Sequence, residues 1–468
     1  MKQLLRNVKI ILVFFLILSV ATLAGLVVQQ RRSETHFRAV AGENKQILRE
    51  RYRQAGKIIA ADGVILADSS SGERAYAADP QVALAMLHIV GDYTHNITNT
   101  IESQLQGPLL GNRSDLLKQL NLDVRGLGYR GDDVHLTISS SLSSRAYQLM
   151  GGQKGAVVLL NYRTGDVIAA VSSPSTLPAN VISWVNIPDG SLFNRALNGR
   201  FIPGSTFKII TTSAWLGSAA YDAALHVDCE GHVPVIESGA FENYAAAAHG
   251  RVDLTAAFCN SCNIFYGQVG MDVGAASLEA EAAAFGFGRT LGLPYLTATA
   301  SRIQVTRDDL PLLSWAAVGQ PAGDTVETMS PLHLAMIAGA VANDGRMMVP
   351  HVVGSLTDPL GERYGEREVR TLLNVPARTW PTLKQLMTAA VQNGTGTAAQ
   401  VAGHTIGGKT GTMETRNEAG ETEIYTLFTG FDATPGYPYA VAVILENKGY
   451  SGAQIAGDLL ARTAKIGP

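Results

Sequence analysis

The sequence predicts an α+β protein carried on a membrane helix, its larger body built on one sheet that joins two distant parts of the chain. Three observations predict this. An uncharged apolar run of 19 residues, Ile10–Val28, stands near the N-terminus. Strand patterns occur near Asp133–Ser172 and again at Tyr425–Glu446, and the long segment between them is rich in Ala and Gly with helical spacing. Strands at both ends with helices between call for a sheet assembled from the two ends.

As a helix, Ile10–Val28 spans about 28 Å, close to the hydrocarbon thickness of a bilayer. Lys2, Arg6 and Lys9 precede it and Arg31 and Arg32 follow it, which favours an N-terminus on the cytoplasmic side. A cleaved signal peptide is the alternative. The run exceeds a usual signal core and no small-x-small pair closes it, so an uncleaved anchor is expected. No second run of this length follows. Residues 1–9 then form a cytoplasmic tail, 10–28 a single-pass anchor, and the rest an extracytoplasmic body.

Beyond the anchor, the polar segment from His36 to Arg53 reads as a helix leaving the membrane. Gly56–Asp68 places two short apolar strands around Ala61-Asp62-Gly63, a hairpin cue. The mixed, glycine-containing stretch to Gly131 reads as a small accessory module, 29–132. At Asp133 the texture changes. Val134–Ile138 alternates as a strand, Leu142–Met150 has helical spacing, and Gly155–Asn161 with Val167–Ser172 forms a hairpin about Arg163-Thr164-Gly165-Asp166. Strands at Tyr425–Phe431 and Tyr439–Glu446 and an amphipathic helix from Gly452 to Lys465 close a second domain, 133–468.

The 468 residues are 46% hydrophobic and 16% charged, with a formal net charge of −3. The length fits two or three domains, and the charge gives no global pull toward nucleic acid. Three cysteines, Cys229, Cys259 and Cys262, make no disulfide framework. Cys259 and Cys262 have CxxC spacing. A zinc site calls for about four ligands and a redox site for a thioredoxin-like setting. Neither is visible, so both are read as small packing residues, with a bridge or a metal as the lesser alternative. No cofactor or metal is expected.

Chemistry concentrates at three places. In Phe201-Ile-Pro-Gly-Ser-Thr-Phe-Lys208, Pro203 and Gly204 suit a helix entrance. Ser205 then lies at a helix N-terminus, where free N–H groups favour developing negative charge. Lys208 is one turn on, on the same face. A lysine kept neutral by burial or by a neighbouring cation can take the serine proton. Ser261-Cys262-Asn263 precedes an apolar helical stretch and reads as a loop offering a hydroxyl to the reacting centre and a carboxamide to substrate. Lys409-Thr410-Gly411-Thr412 reads as an exposed strand edge able to pair with an extended acyl peptide. There Gly411 permits close approach, Lys409 supplies charge for a substrate carboxylate, and the Thr410 and Thr412 hydroxyls can bond to it. The backbone N–H groups of Ser205 and Thr412 form a candidate oxyanion hole. Each piece alone has a bland reading as a capping serine, a loop or a solvated lysine; their order and co-occurrence do not.

SxxK, SxN and KTG in this order resemble the signature of penicillin-binding proteins. Asn194-Arg-Ala196, His249-Gly250, Val318-Gly-Gln320, Ala342-Asn-Asp-Gly345, Lys409-Thr-Gly-Thr-Met-Glu414 and Phe428-Thr-Gly-Phe431 extend the likeness. Gly56-Lys-Ile-Ile with Asp62–Ala67 is similar to the start of the pedestal of monofunctional class B members. The resemblance implies a penicillin-binding transpeptidase, serine β-lactamase-like fold: an antiparallel sheet flanked by helices plus a helical subdomain, behind one transmembrane helix and a pedestal. It also implies the reaction, a peptidoglycan D,D-transpeptidation. Ser205 attacks the D-Ala–D-Ala bond of a stem peptide, Lys208 acts as base, Ser261 relays a proton and Asn263 contacts substrate. β-Lactams acylate Ser205, and a multi-pass membrane glycan polymerase is the implied partner. Two segments depart from the usual pattern. Leu136-Thr-Ile-Ser139 ends in serine where aspartate is common, and Thr176–Asn180 lacks the usual aspartate before proline.

About 100 residues before the catalytic region cannot hold a glycosyltransferase domain. The class A lactamase Glu-x-x-Leu-Asn pattern is absent, since Arg370 precedes Leu373-Asn374 at that offset. A D,D-carboxypeptidase or a class D-like serine β-lactamase shares the first chemistry and remains an alternative. A β-lactam sensor and a polymerase-activating scaffold are the non-enzyme alternatives. Nine residues ahead of the anchor offer no signalling machinery, and a scaffold has no need to keep Lys208 and Lys409.

Overall fold

The structure, a computed structural model, describes residues 2–39, 44–112, 116–128, 130–235, 239–305, 309–375, 380–416, 422–446 and 451–465. Helix α1 (Lys2–Ala39) carries one segment, Lys9–Val28, long and apolar enough to cross a membrane. The N-terminal module follows with three short strands, β1 (Ile58–Ile59), β2 (Ile65–Asp68) and β3 (Ala75–Tyr76), and helix α2 (Pro80–Val90). Next come β4 (Asp133–Leu136), α3 (Ser140–Met150), and the hairpin β5 (Gly155–Asn161) and β6 (Val167–Ser173). The middle of the chain supplies α4 (Lys208–Gly217), the short pair β7 (Val227–Cys229) and β8 (Gly250–Val252), α5 (Leu254–Cys259), α6 (Asn263–Val273) and α7 (Pro331–Ala342). It continues through β9 (Val353–Thr357), β10 (Arg363–Tyr364) and α8 (Trp380–Asn393). The chain closes with β11 (Ile406–Arg416), β12 (Thr422–Asp432), β13 (Tyr439–Glu446) and α9 (Gly452–Arg462).

The two ends of the catalytic region do build one sheet. Its order is β11-β12-β13-β5-β6, antiparallel throughout. Both faces are covered, which explains why β5, β6 and β13 read as apolar runs and not as alternations. Val157, Leu159, Val441 and Val443 pack with Leu142 and Met150 of α3 and Ile455 and Leu459 of α9. Their neighbours Ala156, Val158, Leu160, Ala440, Ala442 and Ile444 point the other way, toward Leu334, Ile337 and Ala338 of α7. β11 and β6 are its outer strands.

A second sheet runs β10-β9-β4-β1-β2-β3. β4 pairs in parallel with β1 (Ile58↔Val134) and antiparallel with β9 (Leu356↔Val134). A division at 132/133, drawn on texture, therefore passes between strands of one sheet. Within it, the hairpin at Asp62-Gly63 forms as the sequence suggests. Gly63 takes φ +79° and donates its N–H to Ala60 O at 2.9 Å.

That turn also resolves the departure at Ser139. Ser139 Oγ caps α3 by accepting from Leu142 N at 3.3 Å. Asp62 reaches across from the hairpin and accepts from Ser140 N at 3.1 Å and Ser141 N at 3.0 Å. A carboxylate thus stands at this helix N-terminus, supplied from another segment. Burial opposes its charge, but the N–H and O–H donors of Ser140 and Ser141 outweigh it and hold its pKa below the usual value.

Candidate active site

Ser205 does not open an α-helix directly. It lies in a 3-10 turn, Gly204–Phe207, and Lys208 opens α4. Side chains three apart on such a turn eclipse each other, which brings Lys208 Nζ to 3.0 Å from Ser205 Oγ. Gly204 makes the turn possible. It sits at φ +51°, donates to Gly319 O at 2.9 Å, and a Cβ there would lie 2.7 Å from Thr412 O. Gly319, at φ +74°, comes equally close from the other side: a Cβ on it would lie 2.1 Å from Gly204 O. The serine turn is thereby clamped between Val318-Gly-Gln320 and β11.

Lys208 is fully buried and its amine has four oxygen contacts. Besides Ser205 Oγ, it donates to Ser261 O at 2.7 Å and Asn263 Oδ1 at 2.6 Å, and lies 3.3 Å from Ser261 Oγ. Its pKa is pushed well below the usual lysine value, first by burial and then by the positive charge of Lys409. A neutral amine beside a serine hydroxyl can accept that hydroxyl's proton.

Ser261 is in the loop between α5 and α6, as the sequence suggests, at φ +57°. Its hydroxyl lies between the two amines and accepts from Lys409 Nζ at 2.8 Å. This places Ser261 where a proton can pass between Lys208 and Lys409. The Asn263 carboxamide is used internally: Oδ1 accepts from Lys208 and Nδ2 donates to Glu242 O at 2.7 Å. The carboxamide thus holds the lysine amine and ties the Ser261 loop to Glu242.

β11 carries the third element along the outer edge of the sheet. Lys409 does not reach into the open. It is fully buried, donates to Ser261 Oγ and to Thr410 O at 3.1 Å, and lies over the Phe258 ring at 5.6 Å. Burial lowers its pKa to about 7. In this arrangement the Lys409 amine holds the Ser261 hydroxyl. Thr410 shares a hydrogen bond with Thr395 Oγ1 at 2.6 Å. Gly411 packs the strand onto the serine turn, since a Cβ there would lie 3.1 Å from Thr206 Cγ2 and 3.3 Å from Pro203 O. In an antiparallel ladder the N–H and C=O of one residue point the same way. Thr412 O faces Gly204 and accepts from Gln320 Nε2 at 3.5 Å, so Thr412 N–H also faces the Ser205 turn. The two N–H groups expected to form an oxyanion hole share this side.

Three contributors escaped the sequence reading. Asn243, buried ahead of the Ser261 loop, accepts from Asn263 N at 2.6 Å. Thr395, in Asn393-Gly-Thr-Gly396, holds Thr410. The Tyr266 ring lies 5.4 Å from Lys208 Nζ, with its hydroxyl bonded to Thr212 Oγ1 at 2.7 Å. Only the glycines around Thr395 gave a local signal of close packing.

The penicillin binding protein transpeptidase domain matches residues 155–465. The chain is 31% identical to the peptidoglycan D,D-transpeptidase PbpA of Mycolicibacterium smegmatis, over 93% of each chain. Among solved structures it is similar to the ceftriaxone acyl-enzyme complex of penicillin-binding protein A from M. tuberculosis, with TM-score 0.78 and 26% identity, covering 90% of this chain and 99% of that one. It is also similar to the D,D-transpeptidase domain of a peptidoglycan glycosyltransferase from Eggerthella lenta, with TM-score 0.75 and 27% identity, covering 88% and 98%.

Proposed function

This chain belongs to the penicillin-binding protein transpeptidase family, and on that premise we propose that Ser205 is its nucleophile and Lys208 the base that activates it. The protein is a serine-type peptidoglycan D,D-transpeptidase that works through an acyl-enzyme and is acylated by β-lactams. The observation that carries the assignment is the buried, charge-repelled Lys208 amine 3.0 Å from Ser205 Oγ.

In acylation, Lys208 takes the Ser205 proton as Oγ attacks the carbonyl carbon of the penultimate D-Ala. The Ser205 and Thr412 N–H groups receive the oxyanion. Ser261, bonded to Lys409, passes a proton to the departing D-Ala nitrogen. Asn263 fixes Lys208 and the Ser261 loop. The free edge of β11 at Lys409–Thr412 pairs with the stem peptide. An amine from a second stem then attacks the acyl-enzyme along the same path in reverse. The 29–132 module acts as a pedestal for the 133–468 catalytic domain. Residues 10–28 anchor the protein with the catalytic domain outside the cell membrane, next to a multi-pass glycan polymerase.

The competing reading, a serine β-lactamase, differs in the fate of the acyl group. Intact mass followed over time after a brief penicillin pulse separates them. A penicilloyl adduct that persists for many minutes is expected; loss within seconds, with repeated turnover of drug, would show a lactamase.

A further inference from the structure

Each of the two active-site amines stands on the face of an aromatic ring. Lys208 Nζ lies 5.4 Å from the centre of the Tyr266 ring, and Lys409 Nζ lies 5.6 Å from that of Phe258. Both rings are fully buried. They come from the two helices that flank the Ser261 loop, Phe258 from α5 and Tyr266 from α6. The loop and its flanking helices therefore give each amine an oxygen contact and a ring face. Tyr266 is also fixed to the helix that carries Lys208. Thr212 Oγ1 donates to Lys208 O at 2.6 Å, so in its 2.7 Å hydrogen bond with Tyr266 the phenol is the donor. The Tyr266 proton thus points to Thr212 and not to the amine.

Among the described residues neither amine has a carboxylate partner. The titratable groups around them are each other, Cys262 near Lys208, Cys259 near Lys409, and His249 behind the loop. Burial raises the pKa of Tyr266, so it stays a neutral phenol and acts through its ring. The negative face of a ring attracts an ammonium far more than a neutral amine. The two amines meet at one hydroxyl, that of Ser261. Two charges that close in a buried site repel strongly, so charging one amine disfavours charging the other. The rings are then the groups that favour charge on each amine against burial.

On the reading of Lys208 as the base, we propose that Tyr266 and Phe258 are positioning residues for the proton. The Tyr266 face steadies the charge that arrives on Lys208 with the Ser205 proton, and the Phe258 face steadies charge on Lys409. In acylation the Ser205 O–H bond breaks and its proton goes to Lys208 Nζ as Oγ bonds to the acyl carbon. The proton then leaves through Ser261 to the departing nitrogen. Without the Tyr266 ring, charged Lys208 is harder to form, so its amine stays neutral to a lower pH. Without the Phe258 ring, Lys409 holds less charge and repels Lys208 less, so Lys208 becomes charged at a higher pH. The two losses act in opposite directions, which a general loosening of the loop does not produce.

The test is the rate of acylation of the full chain, in detergent, by a fluorescent penicillin from about pH 5 to about pH 9. In Tyr266→Leu the acidic limb is expected to move down by about half a pH unit, and the plateau rate to fall severalfold. Tyr266→Phe keeps the ring and the parent limb. In Phe258→Leu the limb moves up. Its position does not depend on the fraction of active chain, so a variant that folds incompletely still reports. Lys208→Ala is measured beside them. If it is acylated like the parent, the base assignment fails and this proposal with it. If it is not acylated, a limb that stays in place in either leucine variant, or moves the same way in both, overturns this proposal alone. So does a limb displaced as far in Tyr266→Phe as in Tyr266→Leu, which would assign the effect to the hydroxyl.

Discussion

The two sheets of this protein were assembled in different ways. The five-stranded sheet has strands of 7–11 residues, and three of its four pairings join strands that follow one another along the chain. The six-stranded sheet has strands of only 2–5 residues drawn from near Ile58, Asp133 and Val353. In the first, long buried strands repeat one pattern and hold each other in register through two covered faces. In the second, each short strand adds only a few core residues, such as Ile58, Leu66, Val134 and Leu356, and specific polar contacts supplement them. The first sheet presents the chemistry; the second joins the N-terminal module to it.

The largest effect expected from this contrast is beside the six-stranded sheet, at the edge formed by β3. Arg74 Nε and Glu102 Oε1 form an ion pair at 2.7 Å with both side chains essentially inaccessible (1% and 0%). Tyr76 OH also donates to Glu102 Oε1, and Arg74 Nη1 donates to Gly56 O. Glu102→Gln leaves the guanidinium buried without its counter-charge and is expected to cost about 3–5 kcal/mol. Denaturant unfolding measures it. Penicillin labelling of the fraction that stays folded is expected to be unchanged, because no catalytic group touches the pair.

The next effect falls on the five-stranded sheet and is chemical. Lys208 owes its lowered pKa to burial first and to Lys409 second. Lys409→Gln removes that repulsion, so the Lys208 pKa rises. The base form is then lost at a higher pH, and the acidic limb of the acylation profile moves upward. Acylation at neutral pH is expected to fall by roughly 10²-fold. A drop with no movement of the limb would show that Lys409 acts on the substrate alone.

The smallest effect is on the outer layer of the same sheet. Arg145 of α3 and Arg462 of α9 both bond to Asp458, at 2.8 Å and 2.7 Å, and hold its pKa at about 2. A carboxylate lowered in this way stabilises the fold above its unfolded pKa of about 4, and that stabilisation is lost as pH falls toward 2. Asp458 is partly exposed, so Asp458→Asn is expected to cost about 1 kcal/mol near neutral pH and almost nothing at pH 2. Thermal unfolding at both values checks it.

The same contrast explains what could be read in advance. β5, β6, β12 and β13 were legible because each is a local apolar run bounded by turns. Ser205, Lys208, Ser261 and Lys409 were legible as motifs, and the structure brings them together within hydrogen-bond reach. The partners of β4 were not legible, because two residues at Ile58 and a strand at Val353 leave no periodic signal. The burial of Lys409 and the internal use of Asn263 were missed for a related reason. A motif gives residue types, whereas orientation depends on Phe258, Glu242 and Asn243, which lie elsewhere in the chain. Cys262 has CxxC spacing with Cys259, but its spatial neighbours are Cys229 and His249.

One hydroxyl, that of Ser205 on a turn clamped between Gly319 and Thr412, is expected to do the covalent chemistry. Peptide mapping of the penicilloyl adduct, on the parent chain and on Ser205→Ala, tests it most directly. The adduct is expected on the peptide containing Ser205 and absent from Ser205→Ala, whose thermal midpoint matches the parent. An adduct mapped to another residue, or one that persists in Ser205→Ala, would contradict the account.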